Sequence, residues 1–204
     1  MVVMNNMPRI VLASASPRRR ELLRLIVPRF EVIASSFDES KIPLWPPQEH
    51  VLKSSCVKAS EVAAQLDDAI VIGADTVVVV GLEVLGKPRD NEDARRMLRL
   101  LSGRCHYVYT GVTVVKRGNG RTEISLRDFA RTRVRFCKLR DAVIDAYIAT
   151  GEPLDKAGAY GIQEKGCVLV EKICGDYFTV VGLPVFRLSR LLQKIGVPLF
   201  SDPP

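Results

Sequence analysis

In Ile10-Val11-Leu12-Ala13-Ser14-Ala15-Ser16-Pro17-Arg18-Arg19-Arg20-Glu21-Leu22-Leu23 an apolar strand pattern runs straight into a helix start. Ser16 is a good N-cap, and Pro17 at the first helical position gives up an amide hydrogen that the helix would leave unused. Leu22, Leu23, Leu25 and Ile26 continue at helical spacing. A strand that turns directly into a helix is the unit of α/β architecture. This one also sets free amides and a positive dipole end beside Arg18 and Arg19, whose guanidinium forks suit phosphate oxygens. Taken alone, the same string is equally a plain strand–turn–helix with two solvated arginines.

Working outward, strand and helix periodicities alternate. The pattern predicts strands near 9–14, 30–35, 69–74, 76–80, 82–85, 107–116, 122–136, 167–173 and 178–181, and helices near 17–27, 48–66, 90–101, 141–150 and 184–195. Gly118-Asn119-Gly120 between two β-rich runs reads as a hairpin turn, so the sheet is mixed. The expected fold is one α/β domain over 1–204, a mixed twisted sheet with flanking helices, with loose termini at 1–8 and 197–204. Phe37 to Gln48, holding Pro43, Pro46, Pro47 and the only Trp, reads as an irregular loop in which Trp45 plugs the packing.

Composition narrows the function classes. With 204 residues, 47% hydrophobic and 26% charged, the chain can bury a sizeable core. Its 30 Lys and Arg against 23 Asp and Glu give a net charge of +7, which favours anionic partners, yet the basic residues are scattered. Five cysteines with no C-x-x-C pair argue against a disulfide framework and a thiolate zinc site. No secretory signal is evident at the start, and Asp75, Glu83 and glycines interrupt the longest apolar stretch, so the reading is a cytoplasmic protein with no membrane span.

Chemistry is concentrated in a few segments. Asp75 interrupts the buried-looking run Val71-Ile72-Gly73-Ala74-Asp75-Thr76-Val77-Val78, and an ionised carboxylate there needs a pairing cation, hydrogen bonds or a metal, unless it caps a turn through its own backbone. Lys87, between Gly86 and Pro88, is placed as a point charge for phosphate. Gly151-Glu152-Pro153-Leu154-Asp155-Lys156-Ala157-Gly158-Ala159-Tyr160-Gly161-Ile162-Gln163 reads as a loop whose backbone approaches a ligand. Val180-Val181-Gly182-Leu183-Pro184 reads as a strand turning into a helix. His106 alternates with apolar neighbours and reads as structural.

In order along the chain, the motif at Ala13 to Leu23, Gly73-Ala74-Asp75-Thr76-Val77-Val78, Leu85-Gly86-Lys87-Pro88, the Leu101 to Val112 segment, the Gly151 to Gln163 loop and Val180 to Pro184 resemble the Maf family of nucleotide pyrophosphatases. The resemblance runs from about Ile10 to Gln193. It implies an elongated two-lobed fold with a central cleft, similar to inosine triphosphatase, and commonly a homodimer. It further implies hydrolysis of a nucleoside triphosphate to monophosphate and pyrophosphate with a divalent cation, Mg2+, Mn2+ or Co2+. Carried over by motif, Asp75 is the catalytic carboxylate and, with Glu39, a metal ligand. Arg19 and Lys87 act on the phosphates, and Ser14, Ser16, Arg18, Lys58, Thr76 and Gln163 bind substrate. The Asp155 to Gln163 string resembles the dTTP/UTP branch more than the 7-methyl-GTP branch. Departures occur at His50, where the family usually has Tyr, at Glu164-Lys165 after Gln163, and at Thr179.

A competing class is a non-enzymatic nucleic-acid binder. Arg131, Arg133 and Arg135 alternate, so on a strand they share one face, as tracking a phosphate backbone requires. The same stripe is also what a solvated strand face looks like.

Overall fold

The computed structural model describes residues 9–38 and 41–200. A seven-stranded mixed sheet carries the fold. Its strands are β1 (Ile10–Leu12), β2 (Glu31–Val32), β3 (Ala69–Val80), β4 (Glu83–Leu85), β5 (Cys105–Gly118), β6 (Arg121–Phe136) and β7 (Val170–Cys174), in the order β2-β1-β3-β5-β6-β7 with β4 also on β3. β1 pairs parallel with β2 and β3, and the other pairings are antiparallel. The helices are α1 (Pro17–Arg24), α2 (Pro47–Ala63), α3 (Asn91–Leu101), α4 (Asp141–Ile148), α5 (Tyr177–Val181) and α6 (Val185–Lys194). Among the described residues no helix is long and apolar enough to cross a membrane.

Local chemistry accounts for most boundaries. Ser16 caps α1 by accepting from the Arg19 amide, and Asp90 caps α3 through the Asp93 amide at 2.8 Å. Asn119 and Gly120 both have positive φ, 52° and 71°, as the two-residue turn between β5 and β6 demands.

Four sequence expectations are corrected. The run 178–181 is the helix α5, because the Asp176 carboxylate accepts from the Phe178 and Thr179 amides and starts a helical turn that β-branched propensity alone does not foresee. Residues 167–169 form the end of a 3-10 turn ahead of β7. Trp45 is 54% exposed and plugs nothing. The strand split at Asp75 is continuous, since β3 runs unbroken for 12 residues. Of the stretches expected to be loose, 1–8 and 201–204 lie outside the described residues, while Val197 is buried against α6 and its neighbours.

β3 organises two lobes. On one face Ile70, Ile72 and Ala74 join a core with Ile10, Leu12, Leu22, Leu23 and Leu188. Further along the same face Val78 and Val80 join a second core with Leu98, Leu101, Phe136 and Ile144. Thr76 lies between the two. The opposite face, reached by the alternate residues, packs under α2, with Val71 against Ala59 and Val62, and Val77 and Val79 against Val51. The approach of α2 is tight: a Cβ at Gly73 would stand 2.3 Å from the Ser55 carbonyl oxygen, and one at Gly111 would stand 2.3 Å from that of Val51. No side chain fits at either position.

Candidate active site

The sheet has a gap where the chemistry lies. β1 pairs with β3 only as far as Leu12 opposite Ile72, and β4 begins with Leu85 opposite Val78. Between them the edge of β3 from Gly73 to Val77 is unpaired on that side and opens on a cleft of about 670 Å³, within the size range of ligand pockets. Ser14, Ser16, Arg18, Arg19, Lys58, Asp75, Thr76, Lys87 and Gln163 all line it, so the structure gathers these residues into one cleft from five separated segments. Glu39 lies outside the described residues.

Asp75 is 2% exposed and sits beneath α2. Lys58 Nζ donates to its Oδ1 at 2.7 Å, and His50 Nε2 lies 3.3 Å from its Oδ2. Oδ2 has no well-aligned hydrogen bond among the described residues. Burial pushes the Asp75 carboxyl up, but His50, Lys58 and Arg19 together outweigh it and hold the group below its usual range. The carboxylate is therefore ionised, as a proton acceptor or cation ligand must be.

Among the described residues Arg19 Nε donates to the Gly182 carbonyl at 2.9 Å, and its Nη atoms to the Ser14 and Thr76 hydroxyls at 3.2 Å each. The hydroxyl protons then have fixed directions. Thr110 donates to the Thr179 carbonyl at 2.7 Å, so its oxygen must accept from Thr76 at 3.0 Å, which in turn accepts from Arg19. Thr76 is thus a relay that aims Arg19. Ser14 Oγ accepts from Arg19 and from the Ser16 amide, which leaves its own proton to give to a ligand.

The glycine-rich loop is built to be stiff. Glu152 accepts from the Tyr147 hydroxyl and from the Lys165 and Gly166 amides, and buried Lys156 donates to the Glu152 carbonyl and to Asp155. At Gly158, with φ of 70°, a Cβ would meet Val78 at 2.8 Å. The Gly158 amide also donates to the Gly86 carbonyl at 2.9 Å, fixing the loop beside Lys87. Lys87 and Gln163 are exposed on the cleft wall. Arg18 is less open to a ligand, because it bridges the cleft to Asp155 at 2.9 Å.

His50 is the site residue that sequence reasoning passed over. Its distance from Lys58, eight residues, puts both on one face of α2, and that spacing was the available signal. His106 is buried, as expected, with Nε2 bonded to the Tyr160 hydroxyl at 2.8 Å. In the arginine stripe on β6, Arg135 pairs with Glu171 and Arg131 covers the Tyr107 ring, so two of its three cations are engaged within the protein.

No cluster of three or more His, Cys, Asp or Glu side chains occurs among the described residues. Asp75 Oδ2, a buried oxygen without an aligned partner, nevertheless fits a single bond to a cation.

A mixed sheet with an open cleft, in which basic side chains surround one buried carboxylate, defines an α/β protein with a charged pocket. The chain belongs to the Maf family: the model described as Maf-like protein matches residues 9–195. It is 51% identical over 197 residues to a dTTP/UTP pyrophosphatase of Methanosarcina barkeri, covering 96% of this chain and 98% of that one. It is 52% identical over 195 residues to one of Moorella thermoacetica, covering 96% and 99%. A HAM1 protein from Coxiella burnetii superposes with a TM-score of 0.48 at 14% identity, over 92% of this chain and 100% of that one.

Proposed function

We propose that this protein hydrolyses dTTP and UTP between the α- and β-phosphates, releasing the nucleoside monophosphate and pyrophosphate. The observation that carries this reading is the Asp75 carboxylate, buried and ionised beside Lys58, His50 and Arg19 at the open edge of β3. The two relatives named dTTP/UTP pyrophosphatase, at about half identity over nearly the full length, support it.

In this reading Arg19, aimed by Ser14, Thr76 and Gly182, and Lys87, which also lines the cleft, hold the triphosphate and take up charge that grows on the departing pyrophosphate. Asp75 accepts the proton of the attacking water, and Lys58 keeps its carboxylate ionised and oriented. Gln163 reads the base edge. Asp75 and Glu39 would hold a divalent cation, Mg2+, Mn2+ or Co2+, which when bound supplies neutralising charge for the triphosphate. Family membership supports a homodimer acting in the cytoplasm; sedimentation of the purified protein checks the first.

The test is a pyrophosphate-release screen over dTTP, UTP, CTP, GTP and 7-methyl-GTP, with and without chelator. Turnover of dTTP and UTP that chelator abolishes is the expected result. A preference for 7-methyl-GTP would overturn the base assignment, and no turnover of any nucleotide would overturn the enzyme reading.

A further inference from the structure

We infer that Tyr147 and Glu152 are positioning residues, which set the loop segment 161–166 so that Gln163 meets the base; this rests on the pyrophosphatase reading above and on the use of Gln163 in it. Tyr147 stands in the last turn of α4, 5% exposed, and Glu152 follows in the short turn after that helix. Neither is part of the cleft lining. The Gly161 amide donates to the Tyr147 hydroxyl at 3.1 Å, and the hydroxyl donates to Glu152 Oε1 at 2.8 Å. Both directions are fixed, because an amide N–H only donates and a carboxylate only accepts. Glu152 takes two further amides, Gly166 on Oε1 at 3.2 Å and Lys165 on Oε2 at 3.0 Å.

The two ends of the segment are thereby drawn to one point and form a neck. A Cβ at Gly166 would stand 2.5 Å from both the Gly161 carbonyl oxygen and the Tyr147 hydroxyl, so the neck closes this tightly only on glycine. Between its ends Ile162 and Gln163 reach the cleft lining, where Gln163 is exposed. An exposed amide takes its reach from the backbone that carries it, and a recognition group must be held to within about 0.5 Å to tell one base from another. Asp75, Arg19 and Lys87 stand on β3, on α1 and between β4 and α3, outside this segment. Loosening the neck therefore acts on base choice and leaves the phosphate chemistry in place.

Two substitutions address the pair separately. Tyr147→Phe keeps the packed ring and removes only the hydroxyl. Glu152→Gln keeps the volume and in either orientation sets its NH2 against a main-chain amide. The kcat/KM values for UTP and CTP with a divalent cation are measured on each full-length variant, on Gln163→Ala and on the double variant Tyr147→Phe/Gln163→Ala, with thermal melting to confirm folding. The UTP-to-CTP ratio should fall about three-fold or more in Tyr147→Phe and in Glu152→Gln, while kcat for UTP stays within about three-fold of native. Because Tyr147 acts through Gln163, its loss should change the ratio of Gln163→Ala by less than about two-fold. A native-like ratio in a folded Tyr147→Phe or Glu152→Gln, or a full further loss in the double variant, would overturn the assignment with the enzyme reading intact. A native protein that does not favour UTP over CTP would overturn it together with the role of Gln163, and absence of turnover would overturn the pyrophosphatase reading as well.

Discussion

Lys58 Nζ on α2 stands 2.7 Å from Asp75 Oδ1 on β3, and both side chains are less than a tenth exposed. A buried ion pair is an expensive way to stabilise a fold, since desolvating two charges offsets most of their attraction. It stands at the unpaired edge of β3, where α2 approaches over Gly73 and Gly111 and the cleft opens, and the proposed function gives the ionised carboxylate its use there. Asp75→Asn keeps the volume and removes the charge. Turnover of UTP should fall by a factor on the order of a hundred or more, with a cooperative thermal transition retained. Near-native turnover in a folded variant would make the pair structural.

Among the described residues Arg19 donates to three acceptors, and Lys87 stands exposed in the cleft lining. Arg19→Ala and Lys87→Ala should each lower kcat/KM by roughly ten-fold or more, because their partners gain charge in the transition state. Arg20→Ala, one residue along α1 and absent from the cleft lining, is the control and should leave the rate near native. Equal losses at Arg19 and Arg20 would place the phosphate grip in the wrong register.

Gln163 offers a donor and an acceptor from the cleft wall, matching the carbonyl and imino edge of uracil and thymine. The exocyclic amine of cytosine reverses one of these bonds, at a cost of roughly 1–3 kcal/mol. UTP should therefore outcompete CTP, and Gln163→Ala should narrow the gap. Competition assays that find the native protein indifferent between the two would remove Gln163 from base recognition.

His106 gives the fold a dependence on pH that is separate from catalysis. Burial pushes its imidazole down from 6.5 to about 4. The unfolded chain binds a proton through this interval that the folded one refuses, so the histidine's contribution is level above pH 6.5 and stability falls as the pH drops toward about 4. The full effect is about 3 kcal/mol. His106→Gln keeps a partner for the Tyr160 hydroxyl and removes the titration. Urea unfolding at about pH 7 and about pH 5 should show a smaller loss for the variant than for the native chain, and an equal loss would contradict the assignment.

Much of this arrangement was legible in the sequence because it depends on local rules. Ser16-Pro17 starts a helix wherever it stands, and a carboxylate in the Val71 to Val78 run demands a partner whatever the topology. The short helix at Tyr177–Val181 was not legible, because it turns on the Asp176 side chain capping two amides against the β preference of Tyr-Phe-Thr-Val-Val. Trp45 was misplaced because aromatic bulk predicts burial only on average. His50 and Arg18 depend on long-range geometry: one meets Asp75 across the α2–β3 packing, the other meets Asp155 across the cleft, 137 residues along the chain.

The most direct measurement uses UTP labelled in its γ-phosphate, incubated with the native protein and a divalent cation, with the products separated. The account predicts that all released label appears in pyrophosphate, with UMP formed in equal amount. Label released as orthophosphate, accompanied by UDP, would contradict it.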